Sequence, residues 1–511
     1  MKKKLPIGIQ NIKELIEGGY VYIDKTKYIY ELMSNGKYYF LSRPRRFGKS
    51  LLVSTLEEIF KGNKELFKDL YIYDKVKFET HPIIKIDFNN IEYLKGEEEF
   101  ENSLSKLMNK IGNEYNITLE MKTPKDKFNE LIYKLSKINR VIILIDEYDK
   151  PILGHITDVK KANKNREILS NFYEVIKGND EYIKFCILTG VSKFSKTSIF
   201  SKLNNLQDLT LNEEYNSLLG YTQEELEKYF KENIEEVSQK YKIERAKLLE
   251  GIKDWYNGYN FGGKETLYNP FSILSFFADK KFNNYWFSTG TPNFLINLIK
   301  KQKLNIAELE TMLTGKETFE SFEVETLEVL PILYQTGYIT IKEIKNELYE
   351  DEYKLGFPNN EVRNAFLNHL LVSFIEKEVS KVGPLNKKLV RALKADDIET
   401  FISVLTGMLS GIPSKLHLKH EYYYQSIFYM IMTLMGMKLN LEDLTDKGQI
   451  DGVLEFEDKL YIIEFKMDSA RKAMDQILEK KYYEKYVNSG KKINLLGIGG
   501  FKNKKLEYFK M

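Results

Sequence analysis

The sequence has 511 residues, enough for about three domains, and its 43% hydrophobic and 30% charged content excludes a disordered chain. A formal net charge of +3 neither demands nor excludes a polyanionic partner, so any such surface must be a local patch. One cysteine, Cys186, rules out an intrachain disulfide, the five histidines show no metal spacing, and no run of about 18 apolar residues offers a membrane span; a reducing, cytoplasmic setting is expected.

The first part of the chain alternates strands with helices. Lys37–Leu41 predicts a short apolar strand, and Lys49–Phe60 a helix with Leu51, Leu52, Leu56 and Phe60 near one face. Residues 83–88 predict a second strand after Pro82, and residues 97–115 a helix. Val141–Ile145 is continuously apolar, as a parallel strand buried on both faces must be. Lys184–Thr189 is a further buried strand, with Cys186 as a core residue. Such alternation predicts a parallel α/β sheet with helices over residues 1–212. Helices over 224–230 and 244–255 and an aromatic, Gly-containing stretch predict a lid or winged-helix-like subdomain over 213–296. Residues 297–417 are charged and mainly helical, with a hairpin near Tyr338–Tyr353. From 418 to 511 strands return, at 452–456 and 460–465, joined by a link of hairpin length.

Ser42-Arg43-Pro44-Arg45-Arg46-Phe47-Gly48-Lys49-Ser50 lies between a strand and a helix, the context of a phosphate-binding P-loop. Gly48-Lys49-Ser50 supplies the second half of the usual pattern, while Arg43 stands where the pattern has its first glycine. The expected ligands are ATP and Mg²⁺. Arg45, Arg46, Phe47, Gly48, Lys49, Ser50 and Leu51 form the nucleotide-binding segment; Lys49 neutralises the β- and γ-phosphates and the Ser50 hydroxyl faces the metal. Arg43, Arg45 and Arg46 flank the phosphates without an assigned role. The strand Val141–Ile145 delivers Asp146 and Glu147, the acid pair expected to bind Mg²⁺ and to orient or deprotonate the attacking water, respectively. Thr189 or Ser192, after the next strand, is a candidate sensor of the γ-phosphate, an ordinary strand-end turn being the alternative.

A second constellation lies near the C-terminus. Glu464 and Lys466 are two apart and project from one strand face, and Asp451 opens the preceding strand. One Asp, one Glu and one Lys at a strand bend suit metal-assisted phosphodiester hydrolysis, with Asp451 and Glu464 holding Mg²⁺ and Lys466 positioning or activating water. The following helix, with Gln476, and the run Lys480, Lys481, Tyr482, Tyr483, Lys485, Tyr486 either touches a nucleic-acid backbone or forms an amphipathic face. Glu421, at the start of a helix, is a candidate fourth acid.

With both constellations in hand, the chain resembles a bacterial and archaeal family that joins an AAA-ATPase-like domain to a C-terminal PD-(D/E)XK nuclease-superfamily domain. The resemblance rests on Tyr22–Thr26, Ser42–Ser50, Leu144–Pro151, Thr189–Ser195, Tyr268–Ser272, Tyr285–Pro292, and Asp451 with Glu464-Phe465-Lys466. It implies that Arg43 is normal for this loop, that the first domain takes ATP, and that the last has a restriction-endonuclease-like fold with Asp451, Glu464 and Lys466 at its active-site positions. Gln425 and Gln449 depart from residues frequent in the family. The expectation is an ATPase that controls a Mg²⁺-dependent nuclease acting on nucleic acid, DNA first, with no membrane partner and a homo-oligomer formed through the ATPase domain. Two alternatives stay open: a nucleotide-dependent switch whose C-terminal domain binds nucleic acid or protein without cutting, and a P-loop that turns over only in an oligomer or with a partner.

Overall fold

The computed structural model describes residues 2–194, 202–203, 205–286, 293–310, 312–320, 325, 327–346, 350–375, 379–409, 421–436, 452–500 and 506–511. The chain divides into two compact units. The first comprises Met1–Ser288, Thr314–Tyr353 and Pro358–Glu361; the second comprises Thr289–Leu313, Lys354–Phe357 and Val362–Met511.

The first unit is built on strands β1 (Tyr38–Ser42), β2 (Ile83–Asp87), β3 (Val141–Asp146), β4 (Ile183–Gly190) and β5 (Gln207–Asp208). They form an all-parallel sheet in the order β2-β3-β4-β1-β5. Every residue of β1 and β3 is buried, which is why both lack the polar alternation of a half-exposed strand. Helices Glu97–Glu114, Pro124–Ser136 and Val159–Gly178 pack on one another, and the Phe128 and Phe172 rings stack 4.5 Å apart. Local chemistry fixes where these helices begin. Thr123 accepts from the Asp126 amide with Pro124 in the first turn, and Asp158 accepts from the Lys161 amide. Helix Lys49–Phe60 packs against β3.

A second core of this unit gathers Phe230, Ile234, Ile252, Tyr256, Phe276 and Phe277 from the helices between Gln223 and Asp279. The first of these helices opens on a capping box of Thr222 and Glu225. The expected hairpin is present as β7 (Thr340–Asn346) and β8 (Asp351–Gly356), which lie in a three-stranded sheet of order β6-β8-β7 with β6 (Leu313–Thr314).

In the second unit, β9 (Gly452–Glu455), β10 (Lys459–Phe465), β11 (Lys492–Gly499) and β12 (Glu507–Lys510) form a mixed sheet in the order β12-β11-β10-β9. β9 and β10 make an antiparallel hairpin; β10 and β11 run parallel, joined through helix Ala470–Glu479, which packs on both. Val453, Leu460, Ile462, Met474, Ile477 and Leu495 make the core between sheet and helix. Tyr482, Tyr483 and Tyr486 pack against this core, leaving Lys480, Lys481 and Lys485 exposed, so the run is amphipathic. Among the described residues, no helix is long and apolar enough to cross a membrane.

Candidate nucleotide and nuclease sites

The register of the parallel sheet brings the first site together. Ser42 pairs with Gly190 and Leu41 with Thr189, while Ile145 pairs with Leu188. The ends of β1, β3 and β4 therefore form one edge, the carboxyl edge where parallel α/β sheets bind ligands. β4 inserts between the P-loop strand and the acid-bearing strand, so Asp146 and Thr189 meet: the Thr189 hydroxyl donates to Asp146 Oδ1 at 2.6 Å. The Glu147 amide donates to the same oxygen at 3.0 Å.

The loop turns at Gly48, whose φ of 98° an L-residue with a Cβ adopts poorly, and helix Lys49–Phe60 starts at the next residue. Lys49 is buried and donates to the carbonyls of Arg43 (3.0 Å) and Pro44 (3.3 Å). Its ammonium lies 3.8 Å from Glu147 Oε1. Two residues of the site, Arg46 (φ 68°) and Glu147 (φ 54°), hold left-handed backbones that side chains disfavour by about 1–2 kcal/mol. Such strain concentrates where a side chain must be aimed.

Arg43 does not face the phosphate position. It is fully buried, and its guanidinium donates to the carbonyls of Ser42 (2.9 Å), Thr210 (2.8 Å) and Tyr215 (3.4 Å), with the Phe261 ring centroid 4.2 Å away. Burial lowers its pKa to about 10. Phe47 is buried beside it, edge-on to Tyr259 and Phe261. The residues that depart most visibly from a glycine-rich loop thus pin the loop from behind.

A cavity of about 240 Å³ opens beside the loop. Arg45, Arg46, Phe47, Gly48, Lys49, Ser50, Leu51 and Glu147 line one part of it. Apolar groups complete it, among them Pro6, Ile9, Val21, Ile23, Leu219 and Phe271. A pocket with a cationic, amide-rich end and an apolar end fits a nucleotide, phosphates at the first and base at the second. Lys25 also lines it, bonded to Ser217 O and to Glu225. Burial lowers the Lys25 pKa while Glu225 opposes the shift.

Asp149 is a residue that sequence reasoning left without a role. It is fully buried and accepts from the amides of Val191 (3.0 Å) and Ser192 (2.6 Å), leaving Oδ1 unbonded among the described residues. Burial, and then the nearby Glu147, push its carboxyl up to about 7. The Tyr148 hydroxyl donates to Ser192 O. Ser192 is thus engaged with the Tyr148–Asp149 turn, and Thr189 with Asp146. The run Asp146-Glu147-Tyr148-Asp149 was the available signal, since an acid run that follows a fully buried strand begins inside the fold.

In the second unit, Glu464 is 1% exposed and its Oε1 lies 3.4 Å from Lys466 Nζ. The Lys466 amide donates to Ile498 O, which holds the residue against β11 just beyond the end of β10. The Lys466 ammonium gives this buried carboxylate an opposite charge. Gly452 pairs with Ile463. Asp451 and Gln449 lie outside the described residues, as do the side chains of Glu421 and Gln425, although helix Glu421–Leu434 has the expected bounds. Among the described residues, no group of three or more His, Cys, Asp or Glu converges as a metal site.

A strand–loop–helix P-loop with an acid pair two strands away across a parallel sheet defines a P-loop nucleotide-binding fold, and the mixed sheet with its Glu-x-Lys strand is of the nuclease type. The family described as "Predicted AAA-ATPase" matches residues 6–200, and the PD-(D/E)XK nuclease superfamily matches residues 419–508. A protein of Azotobacter chroococcum mcd 1, "Uncharacterized protein in vnfD 5'region", is 35% identical over 509 residues, covering 97% of this chain and 96% of its own length. No solved structure matches the chain. The chain belongs to the family in which an AAA-ATPase-like domain is fused to a C-terminal PD-(D/E)XK nuclease-superfamily domain.

Proposed function

We propose that the protein hydrolyses ATP at the P-loop and uses the nucleotide to control metal-dependent cleavage of nucleic acid, DNA first, by its C-terminal domain. The observation that carries the reading is the meeting of Lys49 and Glu147, 3.8 Å apart, at a cavity lined by the P-loop. Lys49, now held by loop carbonyls, exchanges those bonds for phosphate oxygens, and the amides at the start of helix Lys49–Phe60 complete the cradle. Ser50 and Asp146 would hold Mg²⁺, which supplies charge neutralisation at the phosphates. Thr189 fixes the Asp146 carboxylate, and Glu147 takes the proton of the attacking water. In the C-terminal domain Asp451 and Glu464 would hold Mg²⁺, and Lys466 orients or activates the water. The chain acts in the cytoplasm, with ATPase domains associating as a homo-oligomer.

The test is cleavage of labelled DNA and RNA panels with Mg²⁺ or Mn²⁺, with and without ATP, by wild type, Lys49→Ala and Lys466→Ala. Wild type cuts, Lys466→Ala does not, and Lys49→Ala cuts without responding to ATP. If no protein cuts any substrate while ATP is hydrolysed in a Lys49-dependent way, the C-terminal domain is a binding module and the nuclease half of the reading fails.

A further inference from the structure

Arg46 lines the nucleotide cavity, yet it is occupied elsewhere. Its guanidinium carbon lies 3.7 Å from the Phe271 ring centroid. Its Nη1 is buried with no hydrogen-bond partner among the described residues. A guanidinium has five donors, and a phosphate oxygen is a far stronger acceptor than a ring face. The left-handed backbone of Arg46 holds this idle donor within the cavity wall.

Phe271 belongs to helix Pro270–Asp279, whose start is tied to the loop twice. The N-cap Asn269 accepts from the amides of Phe271 (3.0 Å) and Ser272 (3.3 Å) and donates from Nδ2 to the carbonyl of Arg45 (3.4 Å). Two successive loop residues thus hold one helix end, Arg45 by its backbone and Arg46 by its side chain. The next residue continues the chain of contacts. Ser272 Oγ donates to Glu361 Oε2 at 2.7 Å, and Glu361 Oε1 accepts from the amides of Tyr285 (2.5 Å) and Trp286 (2.7 Å).

Glu361 is fully buried. Burial raises its carboxyl to about 7, and the Arg46 charge is among the influences drawing it back. Its place in the chain gives these bonds their meaning. The chain leaves the first unit after Ser288, after Tyr353 and after Glu361. The carboxylate therefore fastens the backbone just ahead of one departure to the residue at another.

We propose that Arg46, through Phe271 and Ser272, relays the state of the nucleotide to Glu361 and so to two of the three chain segments that lead out of the ATPase unit. With phosphate bound, Arg46 leaves the ring, the start of helix Pro270–Asp279 shifts with it, and the Ser272–Glu361 bond transmits the shift to Tyr285 and Trp286. This relay rests on the nucleotide reading above and supplies its route of control.

Hydrogen exchange at the Tyr285 and Trp286 amides tests it, measured on the full chain with ADP, with a non-hydrolysable ATP analogue and without nucleotide. Wild-type exchange differs between ADP and the analogue by at least about fivefold, the low end of coupling between sites. Ser272→Ala and Glu361→Gln bind the analogue as wild type does, and the difference disappears. Glu361→Gln keeps the shape and an acceptor oxygen, so it carries the test should Ser272→Ala fail to fold. Wild type that binds the analogue with unchanged exchange at both amides overturns the relay, as do variants that keep the full difference. Wild type that binds no nucleotide overturns the P-loop reading itself, so the two failures are distinct.

Discussion

Replacing Arg43 by alanine separates two roles for the residue that stands in place of the loop's first glycine. The buried guanidinium makes two good hydrogen bonds, to Ser42 O and Thr210 O, and a longer one to Tyr215 O. Charged hydrogen bonds contribute about 1.5–3 kcal/mol each, and a desolvated cation over a ring adds up to about 2 kcal/mol. Relief of a buried charge that has no ion-pair partner among the described residues offsets part of this, leaving a net loss of about 3–5 kcal/mol. In a unit of this size each kcal/mol moves the midpoint by about 2 °C, so Arg43→Ala should melt about 6–10 °C lower. Trp255 and Trp286 are the two tryptophans of the sequence, and both lie in the first unit, so intrinsic fluorescence reports its unfolding. Arg43→Lys should recover little of the loss, because a point charge cannot reproduce a planar fork. An unchanged midpoint together with lost ATP binding would refute the reasoning and return Arg43 to the phosphates.

Glu147→Gln should bind ATP while turnover falls by about 10²–10⁴, the usual worth of a general base, as read by phosphate release. Asp149 gives a pH signature. Its folded pKa of about 7 lies above the ordinary carboxylate value, so between the two the folded state holds a proton the unfolded state has lost. Stability therefore falls as pH rises through that window and levels off above about 7; urea midpoints at pH 5 and pH 8 should show this slope, and Asp149→Asn should flatten it. Gly258→Ala should cost about 3 kcal/mol or more, read as a lowered melting midpoint or loss of soluble protein. Its φ is 121°, and an added Cβ would lie 1.9 Å from the Pro358 carbonyl oxygen.

The elements with the strongest sequence signals were legible because their physics is local. Helix Lys49–Phe60 has the bounds its periodicity predicts, and β3 is buried along its whole length, as an unbroken apolar run requires. Strand alternation placed Glu464 and Lys466 on one side, and they do meet, although Lys466 stands one residue beyond β10, held there by its amide bond to Ile498 O. The apolar half of the cavity beside the P-loop was not legible, because its walls come from segments as distant as Pro6, Val21, Leu219 and Phe271, and nothing in the sequence joins them. Glu361 was equally hidden. In sequence it is an acid in the first turn of a helix, and its burial becomes apparent only with Ser272, Tyr285 and Trp286 around it. The aromatic abundance, given little weight in the sequence, builds the second core of the first unit through Tyr256, Phe230, Phe276 and Phe277.

The pins behind the loop have a consequence for synthesis on the ribosome. The Arg43 amide donates to Gly190 O, and its side chain waits for Thr210, Tyr215 and Phe261. The loop leaves the exit tunnel roughly 220 residues before its last pin, a delay of about 10–40 s at ordinary elongation rates. The nascent chain therefore carries its P-loop sequence without these pins while the sheet assembles. The match to the family described as "Predicted AAA-ATPase" ends at residue 200, ahead of all three side-chain pins. A fragment cut there would contain the whole motif and lack the contacts that give it form.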